Sequence, residues 1–283
     1  MTSTNAQPPS TGTPLLEVDE LVVTFPGAKR GAGTTVIHGV SLDLHAGETL
    51  SVVGESGSGK TTIGRAILGL APVSAGEIRF RGRRISNVSR AERRAIARDI
   101  QVVFQDPYTS LNPAMRIGDI LTEPLQAVGI ENSRKRVLEL LDAVNMPADT
   151  AGRYPREFSG GQRQRIAIAR ALALDPAVII CDEPTSALDV TTQARVLTLF
   201  KDIQQATGVA YLFISHDLGV VNRVSDRIAV LYQGRIVELG DAHQVATAPA
   251  HEYTRRLQMA APVADPVKQR SRRRARLALA HTA

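Results

Sequence analysis

Apolar positions along the 283-residue chain change rhythm several times, and each change predicts an element. Residues 16–25 and 36–44 alternate and cluster apolar side chains as half-buried strands do; a Gly-rich interruption at 27–33 separates them, so the pair predicts an opening antiparallel sheet. Residues 49–53 are a short apolar strand running into a second Gly-rich loop, and 61–70 then carries helical spacing that Pro72 closes. A strand over 76–80 follows. Ser89 and Glu92 stand three apart as a capping box, opening a helix over 90–98 whose arginines predict a solvated face. A strand over 100–104 ends at Gln105, after which Pro107, Asn112 and Pro113 mark a loop before helices at 117–128 and 133–144, a helical insertion in the middle third.

The rest of the chain alternates: a helix over 161–173, a strand over 178–181, a helix over 191–206, a strand over 209–214 and a helix from Asp217. Strands alternating with helices imply a mainly parallel sheet. Residues 227–232 and 234–239 read as a closing hairpin around Gln233 and Gly234. There is no internal repeat, and no long Ser-, Gly- or Pro-rich linker breaks the interior, so a single domain with subdomains is expected.

Composition narrows the class. With 43% hydrophobic and 22% charged residues the chain has enough apolar material for a core and an ordinary surface. Residues 1–14 are polar without an apolar centre, and no segment reaches the roughly 18 apolar residues of a membrane span, so a chain that is neither secreted nor membrane-spanning by itself is expected. The single cysteine, Cys181, excludes a disulfide framework or a cysteine metal cluster and fits a reducing cytoplasm. The formal net charge of +6 suggests nucleic acid only until it is located: much of the excess lies in residues 268–276. That run reads as a solvated tail or a contact for anionic headgroups, and no nucleic-acid partner is expected.

Gly54, Glu55, Ser56, Gly57, Ser58, Gly59, Lys60 and Thr61 match the pattern G-x-x-x-x-G-K-[ST], between a predicted strand and a predicted helix. The glycines let backbone N–H groups curl round an anion, and the following helix presents unpaired N–H groups and about +0.5 charge at its start. A polyphosphate is the natural ligand. Lys60 reaches β- and γ-phosphates, the Thr61 hydroxyl coordinates Mg²⁺, and Thr62 adds a phosphate contact. The apolar strand over 178–181 delivers Asp182 and Glu183 at its C-terminal edge, where ligands bind in open α/β sheets. Asp182 is a candidate metal ligand; Glu183 is a candidate to orient or deprotonate an attacking water.

Phe158, Ser159, Gly160, Gly161 and Gln162 resemble the ABC signature usually written LSGGQ. In the matching order stand Gln105, similar to the Q-loop glutamine; Ser186 to Asp189, similar to the D-loop; and His216 in Ile-Ser-His-Asp, similar to the switch histidine. With the P-loop and the Asp182-Glu183 strand end, which resembles a Walker B segment, the chain resembles an ABC transporter ATP-binding subunit over residues 15–262. The resemblance implies an α/β fold: a P-loop NTPase core with a mainly parallel sheet, an antiparallel β subdomain, and an α-helical subdomain over about 106–160. Flanking segments at 1–14 and 263–283 are expected to be disordered, the second basic.

It further implies ATP and Mg²⁺ as cofactors, with Mg²⁺ held by Thr61, Asp182 and Gln105, and catalysis by Glu183, His216 and Gln105. Two such domains would pack head to tail, each ATP lying between one P-loop and the partner's signature. Ser159, Gly160, Gly161, Gln162 and Asp189 would then meet nucleotide across the interface. Phe25 is either the adenine-stacking side chain of the family's aromatic loop or a core residue. Gln105 to Pro113 and Pro249 to Leu257 resemble ATPase subunits of oligopeptide, dipeptide and nickel importers, although Glu252 stands where such tails carry proline. The cysteine cluster of some members is absent, so no iron–sulfur cofactor is expected. The implied partners are a second ABC ATPase subunit, with a paralogue favoured; transmembrane permease subunits; and, indirectly, an extracytoplasmic solute-binding protein. The implied location is the cytoplasmic face of the membrane. The competing reading, a soluble ABC ATPase acting on ribosomes or DNA, usually needs two domains in one chain or a long coiled-coil insertion, and neither pattern is present.

Overall fold

Strands covered on both faces need mostly apolar side chains, and that is why residues 178–181 and 210–214 read as unbroken apolar runs, while residues 49–53 carry Thr49 and Ser51 buried among apolar neighbours. The computed structural model describes residues 12–27, 33–106, 108–130 and 133–260. Residues 1–11, most of the Gly-rich interruption, Pro107 and the basic C-terminal run lie outside the described residues. Among those described, the strands are β1 (Leu16–Phe25), β2 (Thr34–Leu44), β3 (Thr49–Val53), β4 (Ala75–Phe80), β5 (Arg83–Arg84), β6 (Ile100–Val103), β7 (Val178–Asp182), β8 (Ala210–Ser215), β9 (Arg227–Tyr232) and β10 (Arg235–Asp241). The helices are α1 (Lys60–Ile67), α2 (Arg90–Ile96), α3 (Ile117–Ala127), α4 (Arg134–Ala143), α5 (Gly160–Ala171), α6 (Val190–Thr207), α7 (Leu218–Val221), α8 (Ala242–Thr247) and α9 (Glu252–Ala260).

A six-stranded sheet runs β10-β9-β3-β8-β7-β6, parallel except for the β9–β10 hairpin, and a four-stranded antiparallel sheet runs β2-β1-β4-β5. Alternation along each central strand divides the core in two. Val178 and Ile180 of β7, with Leu212 and Ile214 of β8, join Ile63 and Ile67 of α1 and the buried face of the antiparallel sheet. Ile179, Cys181, Tyr211 and Phe213 point the other way, into helices α3 to α6. There Phe200 of α6 meets the edges of Tyr211 and Phe213 at 5.3 and 5.7 Å between ring centroids, geometry that favours aromatic pairs. Arg227 of β9 ties the sheets together through Asp43 (3.0 Å) and Glu48 (3.1 Å). The Gln233-Gly234 turn has φ of 47° and 72°, the left-handed pair that a two-residue hairpin requires.

Three expectations change. Helix α1 stops at Ile67, short of residue 70, because Gly69 takes left-handed φ and the N–H groups of Leu70 and Ala71 both return to Arg65 O; Gly69, not Pro72, ends it. Helix α2 has the expected Ser89/Glu92 capping box, but its arginine face is not uniformly solvated. Arg93 donates to Ile67 O at 2.8 Å and to Ile85 O, binding α2 to the end of α1, and burial lowers its pKa. Residues 242–260, read without helices, form α8 and α9. Glu252 opens α9 in the first turn, where a proline or an acid suits a helix start equally well, and pairs with Arg256 at 2.9 Å.

Candidate functional site

The site grows from the end of β3, which lies between β8 and β9 in the middle of the sheet. Chain direction changes at Gly54, where a Cβ would fall 2.2 Å from Leu231 O; only glycine lets the loop lie this close to β9. Gly59 takes φ of 105° and hands the chain to α1, whose first amides receive no side-chain cap. Those uncapped N–H groups and the helix dipole make an anion seat.

Lys60, only 4% exposed, turns its ammonium back onto the loop and donates to Gly54 O and Glu55 O, both at 2.8 Å. Burial lowers its pKa, opposed by the charges of Glu183 and Asp182. The Thr61 hydroxyl donates to Asp182 Oδ1 at 2.9 Å, joining loop and β7. Burial raises the Asp182 pKa, with the Thr61 hydrogen bond pulling the other way. A cation placed there would favour the ionised form.

Glu183 follows Asp182 with φ of 49°, a left-handed conformation that costs a non-glycine residue about 1–3 kcal/mol and tends to mark functional positions. Its N–H is fixed to Ile214 O at 2.9 Å. His216 Nδ1 lies 3.2 Å from Glu183 Oε2; a carboxylate only accepts, so the imidazole donates. A cavity of about 430 Å³ is lined by Val36, Ser56, Gly57, Gly59, Lys60, Thr61, Thr62, Gln105 and Glu183. A smaller one of about 170 Å³ holds His216, Ser215 and Gln193, and Glu183 borders both. Loop, strand-end acid, Gln105 and histidine, spread over more than 150 residues of chain, thus meet at one sheet edge.

The signature residues stand apart from that cavity. Ser159 caps α5, its Oγ accepting from Gln162 N while Gln162 Oε1 accepts from Ser159 N. Gly161 has no room for a side chain, since a Cβ would sit 2.3 Å from Thr192 Cγ2. Asp189 caps α6, accepting from Thr191 N and Thr192 N. Signature and D-loop segments therefore pack on each other. Tyr108, just beyond Gln105, reaches them too: Arg163 of α5 lies 4.2 Å over its ring. Phe25 ends β1, is 38% exposed and belongs neither to the buried core nor to the cavity lining.

Two supports escaped sequence reasoning. Gly234 N donates to Ser58 O at 3.1 Å and Glu55 N donates to the Tyr253 hydroxyl at 3.0 Å, so the β9–β10 hairpin and α9 both brace the loop. The Ser159/Gln162 capping box was detectable as S-x-x-Q. Nothing in local spacing signals the Tyr253 contact.

A phosphate chain fits this cradle on its uncapped amides and buried ammonium. One hydroxyl, one carboxylate and one side-chain amide are too few oxygen donors for Mg²⁺ alone, and suit a cation that shares phosphate oxygens.

Fold and loop together define a P-loop nucleotide-binding protein. A family model described as ABC transporter matches residues 37–186, just over half of the chain. The chain belongs to the ABC transporter family. It is similar to the glutathione import ATP-binding protein GsiA of Escherichia coli K12, with 51% identity over 270 residues that cover 93% of this chain and 43% of that protein. The protein of the same name from Salmonella paratyphi A is 50% identical over 271 residues, with the same coverage. The chain thus spans less than half the length of these relatives. Among solved structures it resembles cbiO1 from Clostridium perfringens, described as part of the ABC transporter complex cbiONQ, at TM-score 0.72 and 26% identity, covering 82% of this chain and 90% of that one. It also resembles the ATP-binding cassette MJ0796 in a dimeric post-hydrolysis state bound to ADP and Pi, at TM-score 0.70 and 29% identity, covering 80% and 98%.

Proposed function

We propose that this chain binds and hydrolyses ATP and thereby powers an ABC importer of peptide-type solutes. The observation that carries the reading is the convergence of Lys60, Thr61, Gln105 and Glu183 on one cavity, with Asp182 hydrogen-bonded to Thr61 and His216 to Glu183. Lys60 leaves Gly54 O and Glu55 O for the β- and γ-phosphates, and the loop amides share the remaining charge. Thr61, Asp182 and Gln105 would hold Mg²⁺, which supplies charge neutralisation on the phosphates. Glu183 orients a water and accepts its proton as the water oxygen bonds to the γ-phosphorus and the bridging P–O bond to the β-phosphate breaks. His216 holds Glu183 through Nδ1; to reach the γ-phosphate with its other nitrogen as well it must be the imidazolium, which donates from both.

The start of α5, with Ser159, Gly160 and Gly161, presents helix amides suited to the phosphate of a partner domain, so a second ATPase domain, a paralogue by preference, completes each site. Gln105 and the loop after it transmit occupancy to transmembrane permease subunits at the cytoplasmic face, fed by an extracytoplasmic solute-binding protein. Peptide-type solute is supported by the glutathione importers to which the chain is half identical. No helix of the described residues is long and apolar enough to cross a membrane. Reconstituted with its permease subunits and binding protein in vesicles, the complex is expected to hydrolyse MgATP several-fold faster with a short peptide such as glutathione. Stimulation by nickel alone, with none by peptides, would remove the peptide assignment and leave the ATPase intact.

A further inference from the structure

The backbone of Glu55 is gripped on both sides of its Cα. Its carbonyl accepts from Lys60 Nζ (2.8 Å) and from Ser58 N (3.2 Å). Its N–H donates to the hydroxyl of Tyr253, 198 residues away, at 3.0 Å. Lys60 is the mobile member of this set: on the nucleotide reading it departs for phosphate, and the carbonyl loses its charged donor. The Tyr253 bond does not depend on Lys60 and stays in place.

Tyr253 is itself immobilised. It is 5% exposed, and its ring lies 4.2 Å from that of Tyr232, which ends β9 directly after the Leu231 carbonyl that Gly54 abuts. Its own N–H donates to His251 Nδ1 at 3.1 Å. The chain entering α9 is pinned as well, because Ala250 N and His251 N donate to the two oxygens of Glu238 on β10 at 2.7 and 3.1 Å. A rigid hydroxyl is thereby held against the start of the phosphate loop, and Tyr253 is not among the residues that line the cavity.

We propose that Tyr253 is a positioning residue for the phosphate loop: its hydroxyl holds the Glu55 amide so that the loop is set for a nucleoside triphosphate before one arrives, which makes α9 a structural part of the nucleotide site. The proposal rests on the nucleotide reading above for its ligand but not for its contact. A preorganised loop spares the ligand the cost of ordering it. Loss of the hydroxyl therefore weakens binding and leaves the chemical step alone.

Tyr253→Phe keeps the ring and its stack on Tyr232 while deleting the hydroxyl. In the full-length protein without nucleotide, the Glu55 amide is expected to exchange with solvent deuterium faster than in wild type, with the thermal unfolding midpoint lowered by no more than about 2–4 °C, the cost of one hydrogen bond. Calorimetric affinity for MgATP is expected to fall about three- to tenfold, the effect of one net hydrogen bond, with KM raised in proportion and kcat within about twofold. A Glu55 amide protected as in wild type overturns the proposal, and so does a lowered kcat at unchanged KM. Because the exchange is read in the absence of nucleotide, it decides the latch separately: a wild-type chain that takes up no MgATP would sink the nucleotide reading alone.

Discussion

The Glu183→Gln protein is expected to take up MgATP as tightly as wild type and to turn it over about a hundred- to ten-thousandfold more slowly, the range that a positioned general base contributes. Gln keeps the size and the acceptor oxygen at the end of β7 but cannot accept the proton of the attacking water. Glu183 does not share the hydrogen bonds of Lys60 with Gly54 O and Glu55 O or of Thr61 with Asp182, so the cradle survives the change. The check is paired: calorimetric affinity and steady-state turnover on the same preparation. Undiminished turnover would strip Glu183 of its role; abolished affinity would make it a structural residue instead. His216 loses its carboxylate partner in this variant and gains an amide oxygen at the same place, so its position is held.

Lys60→Ala is expected to weaken MgATP binding by roughly 10- to 150-fold, the equivalent of about 1.5–3 kcal/mol for a hydrogen bond to a charged group. A second effect partly offsets it, since wild type gives up the bonds from Lys60 to Gly54 O and Glu55 O on binding and the variant has none to give up. The fold is expected to persist, because burial of that ammonium already disfavours its charged form. Unfolding midpoint and nucleotide affinity separate the two: a protein that melts as wild type does but binds about a hundredfold more weakly fits the account. Wild-type affinity in this variant would mean that phosphate does not lie on the loop.

The parts of this molecule that were legible beforehand are those whose cause is local. Continuous apolar runs located β7, β8 and β9 because burial on both faces demands them, and β3 was located by its apolar residues beside the Gly-rich loop although Thr49 and Ser51 are buried in it. The glycine spacing located the loop, and Ser89 with Glu92 located the start of α2, because caps and tight turns are decided by residues within a few positions. What stayed hidden depends on distant partners. Arg93 looks like any helix-surface arginine until Ile67 and Ile85 present their carbonyls. Tyr253 sits in a polar C-terminal stretch whose helix is stabilised by docking on β9 and β10, and its partner Glu55 is 198 residues away. Phe25 is 38% exposed at the end of β1, so of its two readings the core one falls.

Titration calorimetry of MgATP into the full-length wild-type chain tests the central claim most directly, because it asks only whether the cradle formed by Gly54 to Thr62 with Asp182 holds a magnesium-bound triphosphate. The account predicts a single saturable site that weakens sharply when EDTA removes the cation and again when Lys60 is replaced by alanine. Absence of saturable binding at millimolar nucleotide, or binding indifferent to both changes, would contradict it.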